Sequence, residues 1–278
     1  TKQLGGNVDP YRKEDLQLHF FEVIMKNLIF QYYIPYESFD ADMGGKEMPE
    51  WAKAGQRSAQ AYADNCGADY MFTTDRFFPH LDPRLDSIRL FYDPQFEQYD
   101  HVLCLDLDML IASKTNVFER DIADVAMVHE YGVHTGGPAA WLRNVMDKPL
   151  HERGVIAYGK HLFGKDWMFP KSTRYPEERF RYLNGGFQLW SKEGRAKARE
   201  HFTSIDNYVL HTRYTEQMYV NLQLSQPVFN VTEFSTTWNR MPYQWRGKPD
   251  GKLNHFLART KFEMPRLEHT ELSIWQGT

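Results

Sequence analysis

In the run His101-Val-Leu-Cys-Leu-Asp-Leu-Asp-Met-Leu-Ile111, two carboxylates one residue apart, Asp106 and Asp108, interrupt an otherwise apolar segment. Burying carboxylates at the end of a core strand is costly unless a cation or several donors satisfy them. A divalent-metal site is therefore the first chemistry to expect. The same pattern also opens some phosphatases, in which the first aspartate is a nucleophile.

The surrounding elements decide whether that pair can face a ligand. Residues Lys26 to Ile34 are apolar, β-branched or aromatic, end at Pro35, and read as the first core strand. Before it, residues 1–25 hold an amphipathic stretch from Asp15 to Met25 and read as a helical extension. Trp51 to Asn65 carries apolar residues at helical spacing and ends at Gly67, a good C-cap. Asp69 to Thr74 is a second strand, and Asp86 to Tyr99 reads as a helix broken at Pro94 that leads into the Asp-x-Asp strand. Strand, helix, strand, helix, strand predicts a parallel α/β arrangement with right-handed crossovers. Ligands bind such sheets at the carboxyl ends of the strands, where Asp106 and Asp108 lie. Further strands are expected at Asp124–His129, Tyr182–Trp190 and Gln226–Val231, with helices at Lys192–Phe202 and Thr215–Leu224. Gly132 to Glu178 reads as loop with short helices.

Composition narrows the partners. A chain of 278 residues with 42% apolar and 15% aromatic residues can bury a substantial core. A net charge of −4 with scattered Lys and Arg gives no electrostatic footprint for nucleic acid. Cys66 and Cys104 sit in or beside apolar segments and suit core packing in a reducing compartment. No apolar run has the length of a membrane span and no signal-peptide pattern opens the chain, so the expected address is cytoplasmic. Asn230-Val-Thr232 matches a glycosylation acceptor, a triplet common by chance. Oligomeric state is not legible.

Five segments in order carry a family resemblance: Leu105-Asp-Leu-Asp108, Tyr182-Leu-Asn-Gly-Gly186, Thr215-Glu-Gln-Met-Tyr-Val-Asn221, Trp238-Asn239 and His255-Phe-Leu-Ala-Arg-Thr-Lys261. Together they resemble the glycosyltransferases of the glycogenin and bacterial galactosyltransferase type, family eight, over most of the chain. The resemblance implies a GT-A type, Rossmann-like α/β domain with a mixed central sheet flanked by helices. That domain would span 26–278, with a nucleotide-binding half at about 26–130 and an acceptor and catalytic half at about 131–278. It implies a UDP-sugar donor and a glycan acceptor. Asp106, Asp108 and His255 would hold a metal, with Asp106 also touching the ribose. Oxygen ligands with one imidazole suit Mn²⁺, with Mg²⁺ as a substitute. Lys261 would place an ammonium on the diphosphate. Gly185 and Gly186 would let backbone approach the donor, and Asn184 would bond sugar hydroxyls. Gln217, beside Glu216, would lie near the anomeric carbon as a positioning residue in a retaining, front-face reaction. Three positions depart from the family pattern. Ala258 stands for Gly and Phe262-Glu263 for Pro-Trp, while Met218 replaces an acidic residue and implies a missing donor-sugar contact.

Other assignments are broader. Gln31, Tyr32 and Tyr33 end the first strand, where a ring could stack on a base, and Arg57, Arg84 or Arg89 could reach the nucleotide. Of the three arginines, Arg89 is taken with Tyr32 and Tyr33 into the donor-binding set. The acceptor side is expected from Trp141, Trp167, Tyr175, Trp238, Asn239, Tyr243 and Trp245, because flat aromatic faces suit sugar C–H surfaces. An inverting reaction would need a base, with Glu216, Asp166 and Glu233 unranked. Two other classes compete. A haloacid-dehalogenase-like phosphatase would use Asp106 as nucleophile, but Leu110 stands where Thr or Val is usual. A non-catalytic carbohydrate-binding module would explain the aromatics without needing Asp106, Asp108 and His255 to converge.

Overall fold

The computed structural model describes residues 25–35, 47–130, 155–177, 180–208 and 215–269. Its strands are β1 (Asn27–Tyr32), β2 (Asp69–Thr73), β3 (His101–Leu105), β4 (Met109–Ile111), β5 (Val125–His129), β6 (Leu183–Ser191), β7 (Val231–Phe234) and β8 (Leu253–His255). Six form one sheet in the order β2-β1-β3-β6-β5-β7, and β4 pairs with β8 in a second, two-stranded sheet. Only β6 runs against the rest of the large sheet, antiparallel to both β3 and β5. The pairs β1–β2, β1–β3 and β5–β7 are parallel. The helices are α1 (Glu50–Cys66), α2 (Val155–Phe163), α3 (Lys192–His201), α4 (Thr215–Gln223) and α5 (Met264–His269). This is the mixed α/β sheet flanked by helices that the family resemblance implies, whereas the element order alone predicts a parallel one.

The central strands are apolar on both faces because both faces are covered. Leu28, Ile29 and Phe30 are fully buried, with Leu28 and Phe30 in one core cluster and Ile29 in another. Gly67 ends α1 at φ 63°, and its N–H donates to the carbonyls at the end of the helix. Cys66 and Cys104 are unpaired, and Cys104 is buried in the core. Among the described residues no helix is long and apolar enough to cross a membrane.

Three expectations need correction, and two fall outside the described residues. Residues 86–99 are not an α-helix but two 3₁₀ segments, Pro83–Phe91 and Pro94–Phe96. Each opens on an aspartate, Asp82 or Asp93, whose carboxylate accepts the N–H two residues on, followed by a proline that sets a tight turn. Every residue from Leu85 to Phe91 is buried, so no polar face exists to favour an amphipathic helix. The run 101–111 is not one strand: the chain leaves the large sheet after Leu105 and rejoins a different one at Met109, where Ser58 Oγ on α1 accepts the Ile111 N–H at 2.9 Å. The strand expected at 226–231 lies at Val231–Phe234, because Pro227 offers no N–H and the Asn230 N–H is taken by Asp124 at 2.7 Å, and a further short strand, β8, follows it. The helical reading of 15–24, and Trp141, lie outside the described residues.

Candidate active site

Two strand pairings bring distant carboxylates and an imidazole together. β3 delivers Asp106 at its carboxyl end, where the Asp106 N–H donates to the Gly186 carbonyl at 3.0 Å. The Asp106 carbonyl accepts from Gln31 Nε2 at 3.1 Å, and Gln31 is in turn held by the Tyr70 hydroxyl at 2.9 Å. In the small sheet, Met109 pairs with His255, and the Phe256 N–H donates to the Asp108 carbonyl at 2.7 Å. One ligand-capable atom from each of Asp106, Asp108 and His255 lies within 4.8 Å of the others. His255 Nε2 is 3.0 Å from Asp108 Oδ1 and 3.8 Å from Asp106 Oδ2, while Lys261 Nζ is 2.8 Å from Asp108 Oδ2.

The electrostatics are those of a cation site. Asp108 Oδ1 is buried, with His255 Nε2 at 3.0 Å but no well-aligned donor among the described residues, a position that a metal ion would satisfy. Bond lengths of about 2.0–2.6 Å put the ligands of one ion at such separations, and two carboxylates with an imidazole suit Mn²⁺ or Mg²⁺. Burial opposes charge on Asp108, but Lys261 and then His255 outweigh it and hold the carboxyl below the usual range. Asp106, 47% exposed to the cleft, is pushed upward by its enclosure and then by the charge on Asp108. Burial works against a charged His255, yet Asp108 prevails and raises the imidazole.

The other wall of the cleft comes from β6 and α4. Between Met127↔Gln188 and Val128↔Asn184 the β5–β6 register shifts, so Gly185-Gly186-Phe187 are skipped in the pairing with β5 and bulge from it inside the strand. The glycines are needed for close approach. A Cβ on Gly186 would sit 2.7 Å from His255 Cε1 and 2.8 Å from Asp106 Oδ2, and one on Gly185 would sit 2.8 Å from Glu216 Oε2. Asn221 clamps α4 to β6 by accepting the Leu183 N–H and donating to the Leu183 carbonyl, both at 2.7 Å. That places Gln217, whose Oε1 accepts the Gly185 N–H at 2.8 Å and whose Nε2 donates to Glu130 Oε2 at 2.8 Å. Glu216 accepts from Gln188 Nε2 at 2.7 Å, and burial together with Asp106 pushes its carboxyl up to about 8. The two walls enclose a cavity of about 300 Å³.

No protein-family model and no curated protein matches the chain. Solved structures do. A glycosyltransferase involved in glycosylation of the major capsid of PBCV-1 aligns over 87% of this chain and 98% of its own, with TM-score 0.49 and 11% identity. The galactosyltransferase LgtC, solved with donor and acceptor sugar analogs, aligns over 90% and 92%, with TM-score 0.47 and 13% identity. The bifunctional glycosyltransferase WbbM aligns over 85% of this chain and 46% of its own, with TM-score 0.46 and 11% identity. All three are glycosyltransferases.

Most of the residues singled out in the sequence converge. Tyr32, Tyr33, Asp106, Asp108, Asn184, Gly185, Glu216, Gln217, His255 and Lys261 line the cavity, and Gly186 backs Asp106 and His255. The hydroxyls of Tyr32 and Tyr33 donate to the carbonyls of Arg84 and Glu47. Arg89 does not join them: its guanidinium is held by Asp93 at 2.8 Å and the Asp75 carbonyl at 3.0 Å, over the Phe77 ring. Arg84 lines the cavity instead, paired with Asp82, whereas Arg57 ties α1 to Glu268 on α5. Asn184 Oδ1 is occupied inside the protein, accepting from both Gly186 N at 2.9 Å and Asn239 Nδ2 at 2.7 Å, while its Nδ2 lies 3.4 Å from Glu130 Oε2. Met218 is fully buried in the core, so its substitution for an acidic residue removes no group from the cavity.

Several aromatic candidates for the acceptor side are structural. Trp167 and Trp238 are core residues, and Trp245 packs edge-on against Phe256 at 5.0 Å. Tyr175 lies against His129, and Tyr243 is exposed. Asp166 is exposed away from the cleft, and Glu233 is buried in hydrogen bonds to Ser172 and Thr173. Among the cavity residues that escaped the sequence reading are a carboxylate and an indole. Glu130 follows β5 at its carboxyl end, the position that drew notice to Asp106, and burial raises its carboxyl. Trp51 lies under Lys261, with Nζ 4.6 Å from the ring centre.

Proposed function

We propose that the chain is a metal-dependent glycosyltransferase that moves a sugar from a UDP-sugar to a carbohydrate acceptor, with retention of anomeric configuration. The observation that carries this reading is the meeting of Asp106, Asp108 and His255 around a buried carboxylate oxygen, in one cavity with Gln217 and Lys261. A Mn²⁺ or Mg²⁺ ion held by these three residues would supply Lewis-acid stabilisation of the diphosphate leaving group. Lys261 would exchange Asp108 for a diphosphate oxygen, and Tyr32 or Tyr33 would offer a ring to the base. Glu216, with its carboxyl raised to about 8, would be protonated at neutral pH and could donate to a sugar hydroxyl. Gln217, fixed by Gly185 and Glu130, would position the anomeric centre. The carboxylates beside it already accept hydrogen bonds, which favours a front-face reaction over a covalent one. On this reading residues 26–130 hold the nucleotide and 131–278 supply the acceptor side.

The test is a thermal-shift screen of nucleotide sugars with and without Mn²⁺. A donor at a hundredfold excess over its dissociation constant stabilises a fold by about 2.7 kcal/mol. For a chain of this size that raises Tm by about 5–10 °C. A metal-dependent shift with UDP or a UDP-sugar is expected. If no nucleoside diphosphate shifts the transition with metal present, the proposal fails. Phosphate release from simple phosphomonoesters would favour the phosphatase, and glycan binding indifferent to chelator the binding module.

A further inference from the structure

Asn239 was assigned to the acceptor side by its position after Trp238, but its side chain is 1% exposed and both ends of its amide are engaged inside the protein. A backbone group fixes the orientation of that amide. The Gly186 N–H can only donate, so the Asn184 atom that meets it at 2.9 Å is the oxygen Oδ1. Asn239 reaches the same Oδ1 at 2.7 Å and must present Nδ2 to it. The other end of the Asn239 amide is therefore Oδ1, an acceptor, and it faces His255 Nδ1 at 3.0 Å. A neutral His255 must then carry its proton on Nδ1, which leaves the Nε2 lone pair directed at Asp106 and Asp108.

We infer that Asn239 is a positioning residue that, through a hydrogen-bond relay from the Gly186 backbone and Asn184, fixes the Nδ1–H tautomer of His255 and so presents Nε2 as a metal ligand. The inference rests on the metal-binding role proposed above for His255. It explains a geometry that is otherwise unfavourable. An Nε2 lone pair 3.0 Å from a buried carboxylate oxygen is repulsive unless a cation or an added proton lies between them. The relay also runs the other way from Asn184, whose Nδ2 is 3.4 Å from Glu130 Oε2, the oxygen that also accepts from Gln217. One hydrogen-bonded chain thus orients the metal side and the sugar side of the cavity.

The test uses the full chain with ¹⁵N-labelled histidine, read metal-free in chelator at alkaline pH, together with calorimetric titration by Mn²⁺ alone. The wild-type His255 ring is expected to be protonated at Nδ1. Asn239→Ala should move that proton to Nε2 and weaken Mn²⁺ binding by about 10–100-fold, the usual cost of losing such an outer partner. Asn239→Asp keeps an acceptor for Nδ1–H but loses the donation to Asn184 Oδ1, so it should keep the Nδ1–H tautomer and bind Mn²⁺ more tightly than Asn239→Ala, which a merely structural role would not predict. The ring measurement on the wild type needs no substitution, so a variant that fails to fold does not blunt the test. Wild type with Nε2 protonated, or Asn239→Ala with Mn²⁺ affinity unchanged, overturns the inference. A wild-type ring protonated at Nδ1 in a protein that binds no Mn²⁺ upholds the tautomer and overturns the metal reading on which the rest depends.

Discussion

Replacing Gly186 by alanine tests the geometry of the metal site most directly. The added Cβ would stand 2.7 Å from His255 Cε1 and 2.8 Å from Asp106 Oδ2, where ordinary contact begins at 3.4 Å. The strand cannot yield easily, because the Gly186 carbonyl accepts from Asp106 N at 3.0 Å and its N–H donates to Asn184 at 2.9 Å. Two of the three ligand side chains must therefore retreat by about 0.7 Å, and a misplacement near 1 Å can cost about a hundredfold in a site of this kind. Overpacking of this sort costs about 1–3 kcal/mol of stability. The expected result is a folded protein with Tm lowered by a few degrees and Mn²⁺ affinity reduced about 10–100-fold, read by calorimetric titration. Gly185→Ala provides the contrast. Its Cβ would meet Glu216 and not a metal ligand, so Mn²⁺ affinity should hold while donor affinity falls. A folded Gly186→Ala protein that binds Mn²⁺ as well as wild type would refute the assignment of Asp106 and His255 as ligands of one ion.

Two further outcomes follow from strain and from charge. Ala258 adopts φ 48°, the only positive φ outside glycine among the described residues, and its side chain is exposed. Ala258→Gly should relieve about 1–2 kcal/mol of left-handed strain. The greater freedom of glycine in the unfolded chain returns about 0.4–1 kcal/mol of that. Tm should rise by about 2–3 °C, and a fall in the unfolding scan would show that the strain is not there. Glu216 has an ordinary value of 4.5 and is raised to about 8 in the fold, where it faces Asp106, Arg84, Gln188 and Ser87. Its contribution to stability is complete below the lower value and is lost as pH rises through the upper one. Metal-free Glu216→Gln should therefore gain Tm relative to wild type steadily between pH 5 and 9, and a difference independent of pH would contradict the raised carboxyl.

Sequence alone was enough to place Asp106 and Asp108, because two carboxylates after Val-Leu-Cys-Leu break a period that packing would otherwise keep. It was enough for β1, β2, β3, β5 and β6 and for the Gly67 cap, since apolar periodicity and left-handed turns are local properties, but not for the short β8, which apolar periodicity does not mark. The 3₁₀ segment at 83–91 was misread because Leu85 to Phe91 are buried all round, and burial by distant elements leaves no local trace. Arg89 was misassigned for a related reason: which partner an arginine finds depends on Asp75 and Asp93 being folded against it. Glu130 was overlooked because one carboxylate after a strand is common.

The residue types and their order determined the chemistry that this chain can attempt: hard metal ligands, an ammonium, an amide and close-approach glycines, all specified by covalent identity. Tertiary structure decided which of them meet. The β4–β8 pairing sets His255 beside Asp108, the β6 bulge turns Gly186 toward both ligands, and the buried Asn184–Asn239 relay fixes a proton on one imidazole nitrogen. Hydrogen-bond direction and ångström-scale contact are properties of groups brought together from far along the chain, so they exist only once the chain has folded.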